Sequence, residues 1–175
     1  MANSSPTLTA APHSAPPHAY DAGLLVLRLV LGLTIAAHGS QKLFGWFDGG
    51  GIDGTGQFFS SLGYPSGRTM AVIAGLSESL GGLGLVLGLL TPLAGAAVAG
   101  TMINVVWIEK GHGLVGGYEF PLLILAGAAA LALAGPGRFA VDRMLPFLRA
   151  HRLLHGGAAL ALAAVFALST LLLRN

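Results

Sequence analysis

Residues 69–108, TMAVIAGLSESLGGLGLVLGLLTPLAGAAVAGTMINVVWI, carry a single charged side chain, Glu78. A helix rises about 1.5 Å per residue, and about 20 residues cross the roughly 30 Å hydrocarbon core of a bilayer. This stretch is therefore long enough to cross twice, provided that it turns in the middle. Thr91-Pro92 offers the turn, because proline cannot continue a helix but suits the first turn of a new one. The reading is a helical hairpin, one helix over about 69–90 and the next over about 93–109.

The same run-length argument, taken outward, gives three more spans: about 22–44, about 118–135 with Pro121 tolerated near its start and Gly135-Pro136-Gly137 ending it, and 153–173. The composition agrees. The 175-residue chain is 54% hydrophobic and 9% charged, against about 25% charged in an ordinary soluble domain. The predicted fold class is all-α, an integral membrane helical bundle. Nine Lys and Arg against seven Asp and Glu, scattered along the chain, exclude a nucleic-acid surface. With no cysteine the chain holds no disulfide, thiolate-bound iron–sulfur cluster or c-type haem of its own.

Three segments organise the chain: an N-terminal tail over 1–21, a four-helix unit over 22–145, and a basic loop end with an additional helix over 146–175. Residues 1–20 contain no Lys or Arg and so lack the positive region of a signal peptide; they read as a disordered tail. The 45–68 loop holds eight glycines with Trp46, Phe47, Phe58, Phe59 and Tyr64. Such aromatics favour the membrane interface, and QFFSSLG reads either as a short helix in that plane or as part of a solvated loop. Gly84 with Gly88, and Gly95 with Ala99, are spaced to let the second and third spans approach closely. Arg138, Arg143, Arg149 and Arg152 would share a side with the N-terminus, which places that terminus in the cytoplasm by the positive-inside rule.

Charges within a span are costly and face a partner or a water-filled cavity. At about 100° per residue, Arg28, His38 and Lys42 share one face of the first span. Counting from the helix ends puts His38 and Glu78 at similar depth, with Asn104 close to that level and Tyr118 and Glu119 opening the fourth span on the same side. His38, Lys42, Glu78, Asn104, Tyr118 and Glu119 are therefore candidates for a shared polar pocket, with His38 as the expected partner of Glu78 and Arg28 as a separate structural charge. The alternative is that a Glu–His pair only glues two helices together. Glu109 and Lys110, adjacent at a helix end, read as solvated. No metal-ligand cluster and no catalytic residue can be named, and no flavin motif is seen. Haem ligation by two buried histidines has only His38 well inside a span to draw on.

The chain resembles the DoxX family of small bacterial membrane proteins. The resemblance rests on LRLVLGLTIAAHGSQKLFG (27–45), ESLGGLGLVLGLLTPLAG (78–95), KGHGLVGGYEFPLLIL (110–125) and GPGRFAVDRML (135–145). It implies a four-helix membrane unit, which makes the 153–173 helix an addition. It also implies the plasma (inner) membrane and a link to quinone-dependent oxidoreductases and oxidative-stress complexes. Relatives often carry a His on the third span where this chain has Trp107. One function implied by the resemblance is a quinone-linked oxidoreductase subunit without a redox centre of its own, in which His38, Lys42 and Tyr118 would donate to quinone oxygens and Glu78 or Glu119 would relay protons. A non-catalytic anchor for soluble partner enzymes, recruited through the 136–155 loop, is the alternative, and a small-solute or proton pathway is a third. A homo-oligomer is compatible with each.

Overall fold

The computed structural model describes residues 17–148 and 153–174. Six α-helices follow one another: α1 Pro17–Phe44, α2 Gly51–Ser61, α3 Gly67–Leu87, α4 Thr91–Glu109, α5 Glu119–Ala134 and α6 Leu153–Leu172. No strand occurs among the described residues. Five helices are long and apolar enough to cross a membrane, and only 17–39% of each such span is buried inside the protein. The outward Leu, Val, Ile and Phe side chains therefore need lipid as their solvent, and the chain is a multi-pass membrane protein. The expected tail over 1–21 falls on residues 1–16, outside the described residues, and on Pro17–Asp21, which already form the first turn of α1. Arg149 and Arg152 also lie outside the described residues.

The tightest helix pair is α1 with α3, and glycine is the reason. A Cβ on Gly82 would stand 2.6 Å from the Gly32 carbonyl oxygen, and one on Gly39 would stand 2.8 Å from the Gly75 carbonyl oxygen. The two backbones therefore touch, which brings Lys42 opposite the middle of α3. The expected glycine pairs divide differently. Gly84 does meet Ala94 on α4, but Gly95 packs against Ala128 and Ala132 of α5, and Gly88 ends α3 in the left-handed conformation with φ +66°.

At the end of the bundle away from the 45–66 loop, two buried charges hold the turns. Arg28 donates from Nε to the Leu85 carbonyl (2.8 Å), from Nη1 to Pro136 (2.6 Å) and Phe139 (2.9 Å), and from Nη2 to Val86 (2.9 Å). It thereby satisfies carbonyls left over at the end of α3 and in the loop after α5. Asp142 caps α4 from 51 residues away in sequence. It accepts the Leu90 N–H (2.7 Å), the Thr91 N–H (3.0 Å) and the Thr91 hydroxyl (2.9 Å), and its own N–H donates to the Gly88 carbonyl at 2.9 Å. Leu90 has φ +49°, a conformation a leucine rarely adopts, and this cap holds it there.

The additional helix α6 packs on α4 and α5 and so belongs to the bundle. Gly156 lies against the Ala132 carbonyl of α5, and Gly100 of α4 against Ala163. α2 is a short amphipathic helix held against α3 where Gly67 meets the Gly56 carbonyl, and the exposed Asp53–Arg68 pair at 2.8 Å adds little to this packing.

Candidate functional site

Lys42 lies in the last turn of α1, where a cation complements the helix dipole. Helical side chains lean toward the N-terminus, so its long stem descends into the bundle instead of reaching for the surface. Its ammonium meets Glu78 of α3, with Nζ 2.6 Å from Oε2. Glu78 is fully buried, while the Lys42 side chain retains 22% exposure. The other carboxylate oxygen, Oε1, is buried without a hydrogen-bond partner, an arrangement that costs roughly 1–3 kcal/mol unless something supplies a donor.

Lys42 and Glu78 form the polar end of a cavity of about 540 Å³, within the range of about 300–1,000 Å³ usual for small-molecule sites. Its walls are predominantly apolar. Ile73, Ala74 and Ser77 come from α3, Ala97, Gly100 and Thr101 from α4, and Ala163, Phe166 and Ala167 from α6. Phe58 and Phe59 of α2 and Tyr64 of the following loop close the end nearest the membrane surface.

A second polar group stands at that closed end. Asn104 Oδ1 accepts the Tyr64 hydroxyl at 2.9 Å and lies 3.0 Å from the Thr170 hydroxyl of α6. The Asn104 amide donates back to the Gly100 carbonyl at 3.3 Å. Arg174, just past α6, donates from Nε to the Leu62 carbonyl at 2.9 Å, with its guanidinium 4.9 Å from the Tyr64 ring centre. Burial pushes the Tyr64 phenol above its ordinary pKa, and the nearby Arg174 charge offsets part of that rise.

Of the six expected pocket residues, the structure brings Lys42, Glu78 and Asn104 to one cavity and leaves three outside it. His38 does not line the cavity and is not hydrogen-bonded to Glu78; its ring lies against Phe120 of α5, centroids 5.7 Å apart. The expected Glu–His pairing is thus replaced by Glu–Lys. His38 points toward α5, and the longer Lys42 stem reaches the carboxylate. Tyr118 and Glu119 stand in and beside an irregular turn, Leu114–Tyr118, and Glu119 accepts the Gly116 N–H at 3.2 Å on an exposed surface. That turn holds them off the cavity wall. Glu109, expected to be solvated, is partly buried, lines the cavity and pairs with His112 at 3.0 Å. Trp107 is exposed, outside the cavity, with the Lys110 ammonium 3.1 Å from its ring centre. Among the described residues no group of three or more His, Asp or Glu is placed to hold a metal ion.

Sequence pattern alone does not mark Tyr64, Thr170 or Arg174 as pocket residues. Ala163, Ala167 and Thr170 do carry a signal, since their i, i+4, i+7 spacing puts small residues on one face of α6. Nothing comparable marks Tyr64, which reaches the cavity only because its loop folds back.

Fold and site together define a multi-pass helical membrane protein with a ligand-sized cavity inside the bundle, apolar along its walls and ionic at one end. The DoxX family model matches residues 23–111, which include Lys42, Glu78 and Asn104, and the chain belongs to the DoxX family. It is 33% identical over 124 residues to "Putative oxidoreductase CatD" of Bacillus subtilis (strain 168), covering 70% of this chain and 87% of that protein. It is 29% identical over 129 residues to "Inner membrane protein YqjF" of Escherichia coli (strain K12), covering 71% and 93%. No solved structure gives a significant match.

Proposed function

We propose that this protein is the membrane-embedded, quinone-binding subunit of an oxidoreductase in the bacterial inner membrane, working with a partner chain that delivers electrons. The observation that carries the reading is the Lys42–Glu78 pair at the end of an apolar cavity, with Glu78 Oε1 buried and unpartnered. A quinone head group needs hydrogen-bond donors when oxidised and acceptors when reduced, and this end of the cavity presents both kinds. The oxidoreductase name of the Bacillus relative and the inner-membrane name of the Escherichia relative support the class and the location.

A bound quinone would supply electron- and proton-accepting chemistry that the chain's side chains lack. The residues present fit such a group. The Lys42 ammonium can donate to a carbonyl oxygen while remaining paired, since it carries three N–H bonds. Glu78 can hold or take a proton at Oε1, and its exclusion from water strengthens each of these interactions. In the described part of the 136–155 loop, the Arg138 backbone N–H donates to Asp21 at 2.7 Å and Arg143 Nε donates to the Gly137 carbonyl at 3.4 Å, while both arginines are exposed, so an anchor that recruits soluble enzymes through this loop stands as the alternative.

The test is quantitation by mass spectrometry of quinone retained after mild purification from native membranes. Wild-type protein is expected to retain quinone close to one per chain, and Glu78→Gln and Lys42→Met about tenfold less, as loss of a charged hydrogen bond predicts. Retention no higher than in an unrelated membrane protein purified alongside, or retention unaffected by either substitution, defeats the proposal.

A further inference from the structure

The cavity is a cleft between two helices that share a neighbour. α3 and α6 each pack on α4 but make no extensive contact with one another. α4 therefore forms the floor, and its cavity-facing residues are small over 96–101, Ala96, Ala97, Gly100 and Thr101, and larger beyond, with Asn104, Val105 and Ile108. Across it, Ala163 and Ala167 of α6 keep the opposite side shallow. The lips of the cleft are Ile73 on α3 and Phe166 on α6, which are 51% and 64% exposed. Both lie within spans, so what they face is acyl chain and not water.

The end toward the membrane surface is closed by α2, by the Tyr64–Asn104–Thr170 hydrogen bonds and by the Arg174–Leu62 bond. A ligand reaching Glu78 thus has an apolar way in from the side and a hydrogen-bonded closure above. An apolar track that begins in lipid and ends on a buried ion pair matches a molecule with one polar head and a hydrocarbon tail.

We propose that the α3–α6 cleft is a lateral portal that takes the isoprenoid tail of the site's ligand, with Gly100, Ala163 and Ala167 as its track and Ile73 and Phe166 at its mouth. This rests on the quinone reading above and extends it. The ligand is a long-tailed quinone drawn from the bilayer, and α6, which lies beyond the part of the chain matched by the family model, sets the fit of the tail. Each methylene kept in apolar contact contributes modestly, but a tail has many of them.

Two photoreactive quinone probes in lipid nanodiscs test this, one carrying its diazirine on the ring and the other on the tail, with cross-linked peptides mapped on the full chain. The ring probe is expected to label peptides containing Lys42 and Glu78, and the tail probe those containing Ile73 and Phe166. Ala167→Leu narrows the track and is expected to reduce tail labelling there by about tenfold, while labelling by a tail-less ring probe is retained. Thr101→Leu blocks the same track from α4 and serves if Ala167→Leu fails to fold. Ring labelling at Lys42 and Glu78 with tail labelling spread over the outer faces of α1 and α5 would overturn the portal while leaving the quinone site standing. Labelling by both probes no higher than that of a photoreactive phospholipid would overturn both.

Discussion

Lys42 and Glu78 are joined across α1 and α3 by one short contact, Nζ to Oε2 at 2.6 Å, while Glu78 Oε1 has no partner. A pair serving only to glue helices would gain from satisfying both oxygens. Here one oxygen is held and the other is buried without a partner in a residue that lines the cavity, so the pair leaves one hydrogen-bonding group unused. The Gly32–Gly82 and Gly39–Gly75 approaches make this geometry possible, because larger residues there would hold the helices too far apart.

Removing Lys42 should therefore be worse than removing the pair. Lys42→Met leaves a buried carboxylate uncompensated and is expected to cost about 3 kcal/mol, the low end of the range for breaking buried pairs, because the lysine is partly exposed. The double variant Lys42→Met/Glu78→Leu should recover most of that stability yet retain no quinone. Equilibrium unfolding in mixed detergent micelles reads the first effect and mass spectrometry the second. A Lys42→Met cost below about 1 kcal/mol would show that the carboxylate finds compensation elsewhere.

Arg28 makes a different demand, since its four hydrogen bonds fan out to carbonyls of α3 and of the loop after α5. Lysine keeps the charge but not the planar fork. Arg28→Lys is expected to lower stability by roughly 2–4 kcal/mol without altering retained quinone per folded chain. Loss of quinone in the folded fraction would contradict the separation of the two polar groups along the bundle.

How far the sequence anticipates this architecture can be judged from particular residues. The spans were legible because run length against bilayer thickness is a strong constraint, and Pro92 marks the α3–α4 turn in the sequence. The cap on that turn was not legible, because Asp142 arrives from a loop about fifty residues on and no local pattern announces it. The site was half legible. Counting along the helices put Glu78 and Asn104 on one cavity but also near one level, whereas the structure sets them at its two ends. Rotation of the ring and length of the stem decide partners, and these gave Glu78 to Lys42 and His38 to Phe120. α6 read as an appendage because small residues carry no chemical signal, although their spacing makes a wall.

Asp142→Ala should expose the weakness of that distant cap. Two backbone donors and the Thr91 hydroxyl lose their acceptor, and a lost helix cap costs about 1–2 kcal/mol. Hydrogen exchange at the amides of Leu90 and Thr91 is expected to accelerate well beyond that of the α5 amides, with Asp142→Asn intermediate. Unchanged protection at those two amides would mean that the α3–α4 turn holds itself.

The closed end of the cavity has its own titration. Tyr64 is buried at 7% exposure, and burial raises its pKa while Arg174 lowers it, with burial the larger influence. The folded chain then holds the phenolic proton more tightly than the unfolded chain, whose tyrosine titrates near about 10. Stability linked to Tyr64 is accordingly complete below about that pH and is lost as pH climbs through the higher folded value. Tyrosinate absorbance should show a late component that Tyr64→Phe removes. Arg174→Gln takes away the lowering influence and should move that component to still higher pH. A move in the opposite direction, toward the ordinary value, would show that Arg174 acts chiefly by holding the Leu62–Tyr64 turn over the cavity, since releasing it would then let water reach the phenol.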